Sequence, residues 1–342
     1  MKKILFTGGG SAGHVVPNLA LIEPLKNRYE IAYIGTDKIE SELVPPTGIP
    51  FYRIECPKLI RRLTLKNLTI PLSLQKAKRD CKRILQDIAP DLVFSKGGYV
   101  SLPVVLAAKQ LKIPCLTHES DLTAGLTNRL IARKCKNVLC SFSETTEAFP
   151  NGKYTGSPIR EELFSASKKD AMQKYAFSGK RKILLVLGGG SGSVKINEAL
   201  RRDLSLLAKR YDILHVCGKG NTVQNNIAGY VQREYEPDMA SAYACADLVI
   251  ARSGSNTLFE VLALHKKALF IPLESGSRGD QLKNAEYFEK KRLCHVLREK
   301  QLEHLFPAIE NAISDKELCD NLTLSGVKSG TENIIKEIER AL

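Results

Sequence analysis

The chain has 342 residues, too many for one ordinary core and enough for two domains of roughly 150 residues each. Hydrophobic residues make up 43% and charged residues 26%, which excludes a disordered or low-complexity chain. No apolar run reaches the ~18 residues that a membrane-spanning helix needs, and the opening Met1–Thr7 stops at Gly8-Gly9-Gly10, too soon for a signal peptide. The nine cysteines are odd in number and scattered from Cys56 to Cys319 without a CxxC pair. That spacing argues against a disulfide framework or a zinc site and for a reducing compartment. The formal charge of +14 is uneven: residues 1–156 hold 23 Lys and Arg against 13 Asp and Glu, the remainder 28 against 24. Residues 53–83 alone carry ten basic and two acidic residues, interleaved with Leu59, Ile60, Leu63, Leu65, Leu68, Ile70, Leu72 and Leu74. Such a segment suits an anionic membrane surface. It lacks Phe, Trp and His, which argues against nucleic acid as the partner. A solvated helix face with a core stripe accounts for the same pattern.

In chain order, Lys3–Thr7 reads as a strand ending in a glycine loop, Asn18–Arg28 as a helix and Glu30–Gly35 as a strand. Gln75–Ile88 reads as a helix, Asp91–Ser95 as a strand before Lys96-Gly97-Gly98, Leu102–Leu111 as a helix and Pro114–His118 as a strand. The pattern then restarts. Arg181–Leu187 is an apolar strand running into Gly188-Gly189-Gly190-Ser191-Gly192-Ser193, with a helix from Ile196. Strands follow at Asp212–Cys217, Asp247–Ala251 and Ala268–Pro272, and Glu332–Leu342 reads as a final helix. Strands alternating with helices of this length imply parallel sheets covered on both faces, here in two similar α/β halves. Turn signals at Asn151-Gly152 and Gly156-Ser157-Pro158 place the join between about 151 and 180.

Each half opens strand, glycine loop, helix. Without Cβ atoms the backbone can approach a phosphate and aim N–H groups at it, and the helix N-terminus adds partial positive charge. Neither loop is a P-loop, since no Gly-Lys-Ser/Thr follows. The first matches G-x-G-x-x-G through Gly8, Gly10 and Gly13, and Asp37 stands just past the second strand, so a nicotinamide-dependent oxidoreductase is an alternative. His14 stands at a helix start, where the dipole favours the neutral imidazole and a general base becomes available; a hydrogen-bonding or capping role fits the position equally. Glu260, two turns into the helix after Arg252-Ser253-Gly254-Ser255-Asn256-Thr257, is placed to accept both hydroxyls of a ribose, or to serve as an ion-paired helix glutamate. Ser277-Arg278-Gly279-Asp280-Gln281 is a polar loop suited to sugar hydroxyls or to turn formation.

Six motifs in order resemble one family, the undecaprenyl-diphospho-muramoylpentapeptide β-N-acetylglucosaminyltransferases of peptidoglycan synthesis. Gly9-Gly10-Ser11-Ala12-Gly13-His14 with Pro17 resembles G-G-T-G-G-H-x-x-P, and His118-Glu119-Ser120-Asp121 with Gly125 and Asn128 resembles H-E-Q-N-x-x-x-G-x-x-N. Gly156-Ser157-Pro158-Ile159-Arg160 resembles G-N-P-V-R, and Gly189–Ser193 resembles G-G-S-x-G-A. Asp238-Met239 with Ala246-Asp247, and then Arg252-Ser253-Gly254, complete the set over essentially the whole chain. Departures are Ser11 for Thr, Ala12 for Gly, Ser120-Asp121 for Gln-Asn and Asp280 for the first of two glutamines.

The resemblance implies a GT-B fold: two Rossmann-like parallel-sheet domains facing across a cleft, residues 1–157 on the acceptor and membrane side and 158–330 for UDP-N-acetylglucosamine, with a C-terminal helix at 331–342 that could return to the first domain. It implies transfer of N-acetylglucosamine to undecaprenyl-diphospho-MurNAc-pentapeptide, at the cytoplasmic side of the membrane as a peripheral protein, with no cofactor, no metal and no nucleic-acid partner. By motif position, Ser191 and Arg160 would meet the diphosphate, Glu260 the ribose, and the segment near Glu236 the uracil through backbone groups. Ser255, Asn256 and Thr257 would line sugar and phosphate, and Gln281 would bind sugar hydroxyls. Ser11, Ala12 and Gly13 would lie near the diphosphates, Asp121 and Asn128 near substrate, and His14 would be the candidate base for the acceptor 4-hydroxyl. Rival readings are a GT-B transferase with another lipid acceptor and a non-catalytic UDP-sugar sensor.

Overall fold

The computed structural model describes residues 1–57, 70–190, 192–274 and 279–342; much of the basic segment's first part, Ser191 and Ser277-Arg278 lie outside the described residues. The chain divides into two compact units, Met1–Arg160 with Gly330–Leu342, and Glu161–Ser329.

The first unit is built on strands β1 (Lys3–Thr7), β2 (Glu30–Gly35), β3 (Phe51–Arg53), β4 (Leu92–Ser95), β5 (Cys115–Glu119), β6 (Asn137–Cys140) and β7 (Gly152–Tyr154). All pair in parallel, in the order β3-β2-β1-β4-β5-β6-β7. A strand buried on both faces reads as a continuous apolar run rather than an alternating one, and β1 shows why. Ile4 and Phe6 pack with Leu21, Ile22 and Tyr33, while Leu5 points to the opposite face with Cys81, Leu85 and Val104. The C-terminal helix Thr331–Ala341 belongs to this unit. It sets Ile334, Ile338 and Ala341 into the cluster of Ile4 and Phe6, each fully buried aliphatic contributing about 1.5–3 kcal/mol. Glu337 pairs with Lys153 at 2.7 Å, and Lys136 Nζ donates to Ala341 O at 2.9 Å.

The second unit repeats the plan with β8 (Lys182–Leu187), β9 (Tyr211–Val216), β10 (Tyr230–Arg233), β11 (Leu248–Ala251), β12 (Ala268–Phe270) and β13 (His295–Val296). The order is β10-β9-β8-β11-β12-β13, again parallel. Leu184, Val186 and Ile250 face Ile196, Leu200, Leu204 and Leu207, which recur at helical spacing along Val194–Arg210. All nine cysteines are free, and only Cys319 is exposed.

Several boundaries differ from the sequence expectation. The first helix starts at Ala12, not Asn18, and runs through Pro17 and Pro24; proline marks helix starts often enough that Pro17 misleads. The helix expected from Gln75 is already formed at Ile70. Strands β3, β6, β7, β10 and β13, two to four residues each, were not expected, because so short a run carries no usable periodicity.

Candidate active site

In each sheet the strand order reverses at one place, between β1 and β4 and between β8 and β11. Loops leaving the carboxyl ends of those strands diverge and leave a crevice, the usual ligand position in open α/β sheets. Gly8–Ser11 and Lys96–Gly98 flank the first switch point; Gly188-Gly189-Gly190 and Arg252–Gly254 flank the second.

The first glycine loop is held from beneath. Tyr33 Oη donates to Gly8 O at 2.6 Å, and Asn18 Nδ2 donates to Thr7 O at 3.1 Å. Fully buried Glu40 accepts from Gly10 N and Thr36 N, both at 3.0 Å. The Gly10 amide therefore points at Glu40, not outward to an anion as the glycine pattern suggested. Gly10 has φ +83, and a Cβ there would lie 2.5 Å from the Tyr99 ring, so the position requires glycine for packing. Ser11 is extended and occupies the N-cap of the helix Ala12–Leu25 without capping it through its side chain. Its Oγ instead lies 2.9 Å from His14 Nδ1. Ser11 and Gly13 are exposed, and Ala12 and His14 half-buried.

Behind this loop lies a buried cluster that the sequence reading missed. Lys96, 2% exposed, directs Nζ to His118 Nδ1 at 2.8 Å and donates to Ser120 Oγ. His118 Nε2 lies 3.1 Å from Gly156 O. The ammonium donating to Nδ1 fixes the tautomer with the proton on Nε2, which then donates to that carbonyl. Burial, reinforced by the Lys96 charge, keeps His118 neutral well below its ordinary range. Burial also brings Lys96 down to about 8, against the opposing pull of Glu119 and Asp121.

Glu119 organises the adjoining loop. It accepts from Ser120 N at 3.0 Å, Asp121 N at 3.2 Å, Gly125 N at 2.7 Å and Asn128 Nδ2 at 2.9 Å. Asn128 is buried, and its Oδ1 accepts from Thr117 Oγ1 at 2.9 Å. Both ends of its amide are thus spent inside the loop, and it shapes the backbone that carries half-exposed Asp121. Arg160, half-buried, ends the first unit's main segment.

In the second unit, Ser193 caps the helix Val194–Arg210, accepting from Ile196 N at 3.4 Å. Buried Arg252 ties this loop to the sheet, donating to Ser193 Oγ at 2.8 Å, Ile271 O at 3.0 Å and Glu299 Oε1 at 2.5 Å. Burial pushes the Glu299 carboxyl up, but hydrogen bonds from Lys195 and Arg252 outweigh it and hold it below its ordinary value. Gly254 precedes the helix Ser255–Ala263, which carries Ser255, Asn256 and Thr257 in its first turn and Glu260 in its second. Glu260 is buried, and its Oε2 accepts from Tyr243 Oη at 3.1 Å. Glu236 is turned inward: it accepts from Asp238 N at 2.9 Å and lies 3.7 Å from Lys174 Nζ. Gln281 is half-buried with Oε1 accepting from Leu273 N at 2.9 Å, and its backbone carbonyl accepts from Ser253 Oγ at 2.8 Å. The second switch point thus gathers Arg252, Ser255, Asn256, Thr257, Glu260 and Gln281 on linked elements. Arg252, Glu299, Glu40 and Lys96 were not read as site residues, since charged residues in a sequence are assumed to be solvated.

The chain matches the glycosyltransferase family 28 N-terminal domain over residues 4–140 and the glycosyltransferase family 28 C-terminal domain over residues 183–338. It is 43% identical, over 99% of both chains, to the UDP-N-acetylglucosamine–N-acetylmuramyl-(pentapeptide) pyrophosphoryl-undecaprenol N-acetylglucosamine transferase of Lachnoclostridium phytofermentans. Among solved structures, MurG of Acinetobacter baumannii superposes with a TM-score of 0.78 at 25% identity, covering 99% of this chain and 100% of that one. The calicheamicin glycosyltransferase gives 0.72 at 15% identity, covering 100% and 98%, and shares the GT-B fold. The chain belongs to glycosyltransferase family 28, among the N-acetylglucosamine transferases named for the N-acetylmuramyl-(pentapeptide) pyrophosphoryl-undecaprenol acceptor.

Proposed function

We propose that this chain transfers N-acetylglucosamine from UDP-N-acetylglucosamine to lipid-linked N-acetylmuramyl-pentapeptide, the step from lipid I to lipid II in peptidoglycan synthesis. The observation that carries the reading is 43% identity to a transferase of that name along 99% of both chains.

The second unit holds the donor. Glu260 takes the ribose hydroxyls, the backbone beside Glu236 the uracil, the Ser191 loop the diphosphate, and Ser255, Asn256, Thr257 and Gln281 the sugar and phosphate. The inward turn of the Glu236 side chain supports a backbone role there. The first unit takes the acceptor, with Ser11, Ala12 and Gly13 near the diphosphates, Asp121 where the family's asparagine meets the donor sugar, Asn128 shaping the loop, and Arg160 serving the donor diphosphate. His14 is the base. The acceptor 4-hydroxyl oxygen attacks the anomeric carbon and gives its proton to the imidazole. The bond from that carbon to the UDP oxygen breaks with inversion, and the leaving diphosphate carries away the electron pair. Helix N-termini, backbone N–H groups and Arg160 offset the developing charge, so the reaction needs no divalent ion.

The protein works as a peripheral protein on the cytoplasmic face of the membrane. Among the described residues no helix is long and apolar enough to span a bilayer. The helix Ile70–Ile88 buries Ala77, Cys81 and Leu85 along one side, leaving Leu72 75% exposed amid Lys76, Lys78, Arg79, Lys82 and Arg83. A basic face with an exposed aliphatic suits anionic lipid.

Proton NMR of the product made with a short-chain acceptor tests the chemistry. A β-linked N-acetylglucosamine on the muramyl 4-oxygen is expected; an α-linkage or another position rejects it. Sedimentation with phosphatidylglycerol vesicles tests the surface: binding that falls as salt rises is expected, and none at low salt rejects it.

A further inference from the structure

Lys96 is a full ammonium side chain placed where lysine is rarely found. It is 2% exposed and sits directly after β4 at the first switch point. Its partners are not ornamental. One is Ser120, beside Asp121 in the loop after β5; another is His118, whose other ring nitrogen grips Gly156 O at 3.1 Å. Gly156 opens the segment that ends in Arg160, and Ser157 O accepts from Gly330 N at 2.8 Å. One buried cation therefore joins three loops: the Lys96–Gly98 turn, the Ser120–Asp121 loop and the Gly156–Arg160 segment. A buried lysine kept only for stability is a poor choice, because an apolar residue of similar volume would serve as well or better.

We propose that Lys96 is a positioning residue for the transfer reaction, holding Asp121 and the segment leading to Arg160 in register through Ser120 and the His118–Gly156 link. The inference rests on the proposed function, since it concerns residues that meet the substrates of that reaction. The groups facing the ammonium are His118 and Glu119 from β5 and Asp121 from the loop beyond it. Glu119 is committed to four donors, His118 stays neutral, and burial brings the Lys96 ammonium down to about 8. Its proton is present below about 8 and lost above it. Burial favours the neutral amine, so the fold does not weaken as pH rises through that value; what is lost is the attraction between the ammonium and Asp121, which is then held less firmly.

The test compares wild type, Lys96→Met and Ser120→Ala in acceptor-dependent UDP release across pH 6.5–9.5, with thermal melts alongside. The proposal expects Lys96→Met to lose at least about tenfold in kcat, the scale of loss when a reacting group is misplaced by a fraction of an ångström. The loss should fall on kcat rather than on KM for UDP-N-acetylglucosamine alone, because Arg160 acts on the charge that develops as UDP leaves. Wild type should show a falling limb near pH 8 that Lys96→Met lacks, and Ser120→Ala should lose kcat in the same direction by a smaller factor. A Lys96→Met kcat within twofold of wild type, a loss carried by donor KM, or a retained alkaline limb overturns the proposal. Should Lys96→Met fail to fold, the remaining two decide: a flat wild-type profile to pH 9.5 or an unaffected Ser120→Ala overturns it. A wild type that releases no UDP rejects the proposed function, and this inference with it.

Discussion

Arg252 and Glu299 meet at 2.5 Å with side chains only 10% and 5% exposed, and the same guanidinium nitrogen holds the Ser193 cap at 2.8 Å. One buried pair thus anchors the start of the helix after the second glycine loop to the far side of the β8–β11 switch point. Removing one partner of such a pair leaves the other charge buried. Glu299→Ala should cost about 3–5 kcal/mol. Glu299→Gln, which keeps an acceptor for Arg252, should cost about 1–3 kcal/mol. Urea unfolding of both variants checks the order; equal losses would show that the retained acceptor contributes nothing and that the lost charge accounts for the cost.

Two glycines in one loop should answer differently to alanine. Gly189 has φ +84 but open space around a Cβ, so Gly189→Ala should cost only the left-handed strain, about 1–2 kcal/mol. Gly192 has φ +77, and its Cβ would lie 2.2 Å from Cys217 O, so the backbone must move. Gly192→Ala should lose more than about 3 kcal/mol. Denaturant midpoints compare the two, and similar losses would contradict the packing account.

Acid should weaken the second unit through Asp238. A hydrogen bond from Lys174, then those from Ser241, holds its carboxyl at about 2 against an ordinary 3.8. The folded value lies below the unfolded one, so the stabilisation is complete above pH 4 and is lost as pH falls toward 2. The pair is exposed enough that its worth is below about 1 kcal/mol. Asp238→Asn keeps an N-cap residue but removes the ion pair. Its stability should therefore fall less steeply than wild type between pH 4 and pH 2, read from unfolding midpoints.

Donor affinity should depend on Glu260, whose carboxylate Tyr243 orients at 3.1 Å. Glu260→Gln keeps the shape but weakens acceptance of two hydroxyls, so the Kd for UDP should rise about ten- to a hundredfold by calorimetry. An unchanged Kd would remove Glu260 from the donor site.

Much of this arrangement could be read before any coordinates. The runs Lys3–Thr7 and Arg181–Leu187, each continuous, apolar and followed by glycines, located the central strands and both switch-point loops. Residue identity alone, however, does not say where a donor points. The first glycine loop reads as aiming its N–H groups at a phosphate, yet the Gly10 amide is taken by Glu40, thirty residues away in the chain. Asn128, grouped with the substrate contacts, spends its amide on Thr117 and Glu119. Lys96 gave no warning because a lysine after a strand is ordinarily solvated, and only the packing of β4 against β5 encloses it. The last helix reads as able to return to the first domain, but its contacts are not legible in the sequence: Ile334 and Ile338 meet Ile4 and Phe6 from the opposite end of the chain.

The central claim is acceptor-dependent transfer, and UDP release measures it most directly. Purified protein is given UDP-N-acetylglucosamine with and without a short-chain lipid I analogue, in EDTA. Release that requires the analogue and proceeds in EDTA is the predicted result. Thermal stabilisation by the donor without any release would contradict it and leave a UDP-sugar sensor or a transferase with a different acceptor.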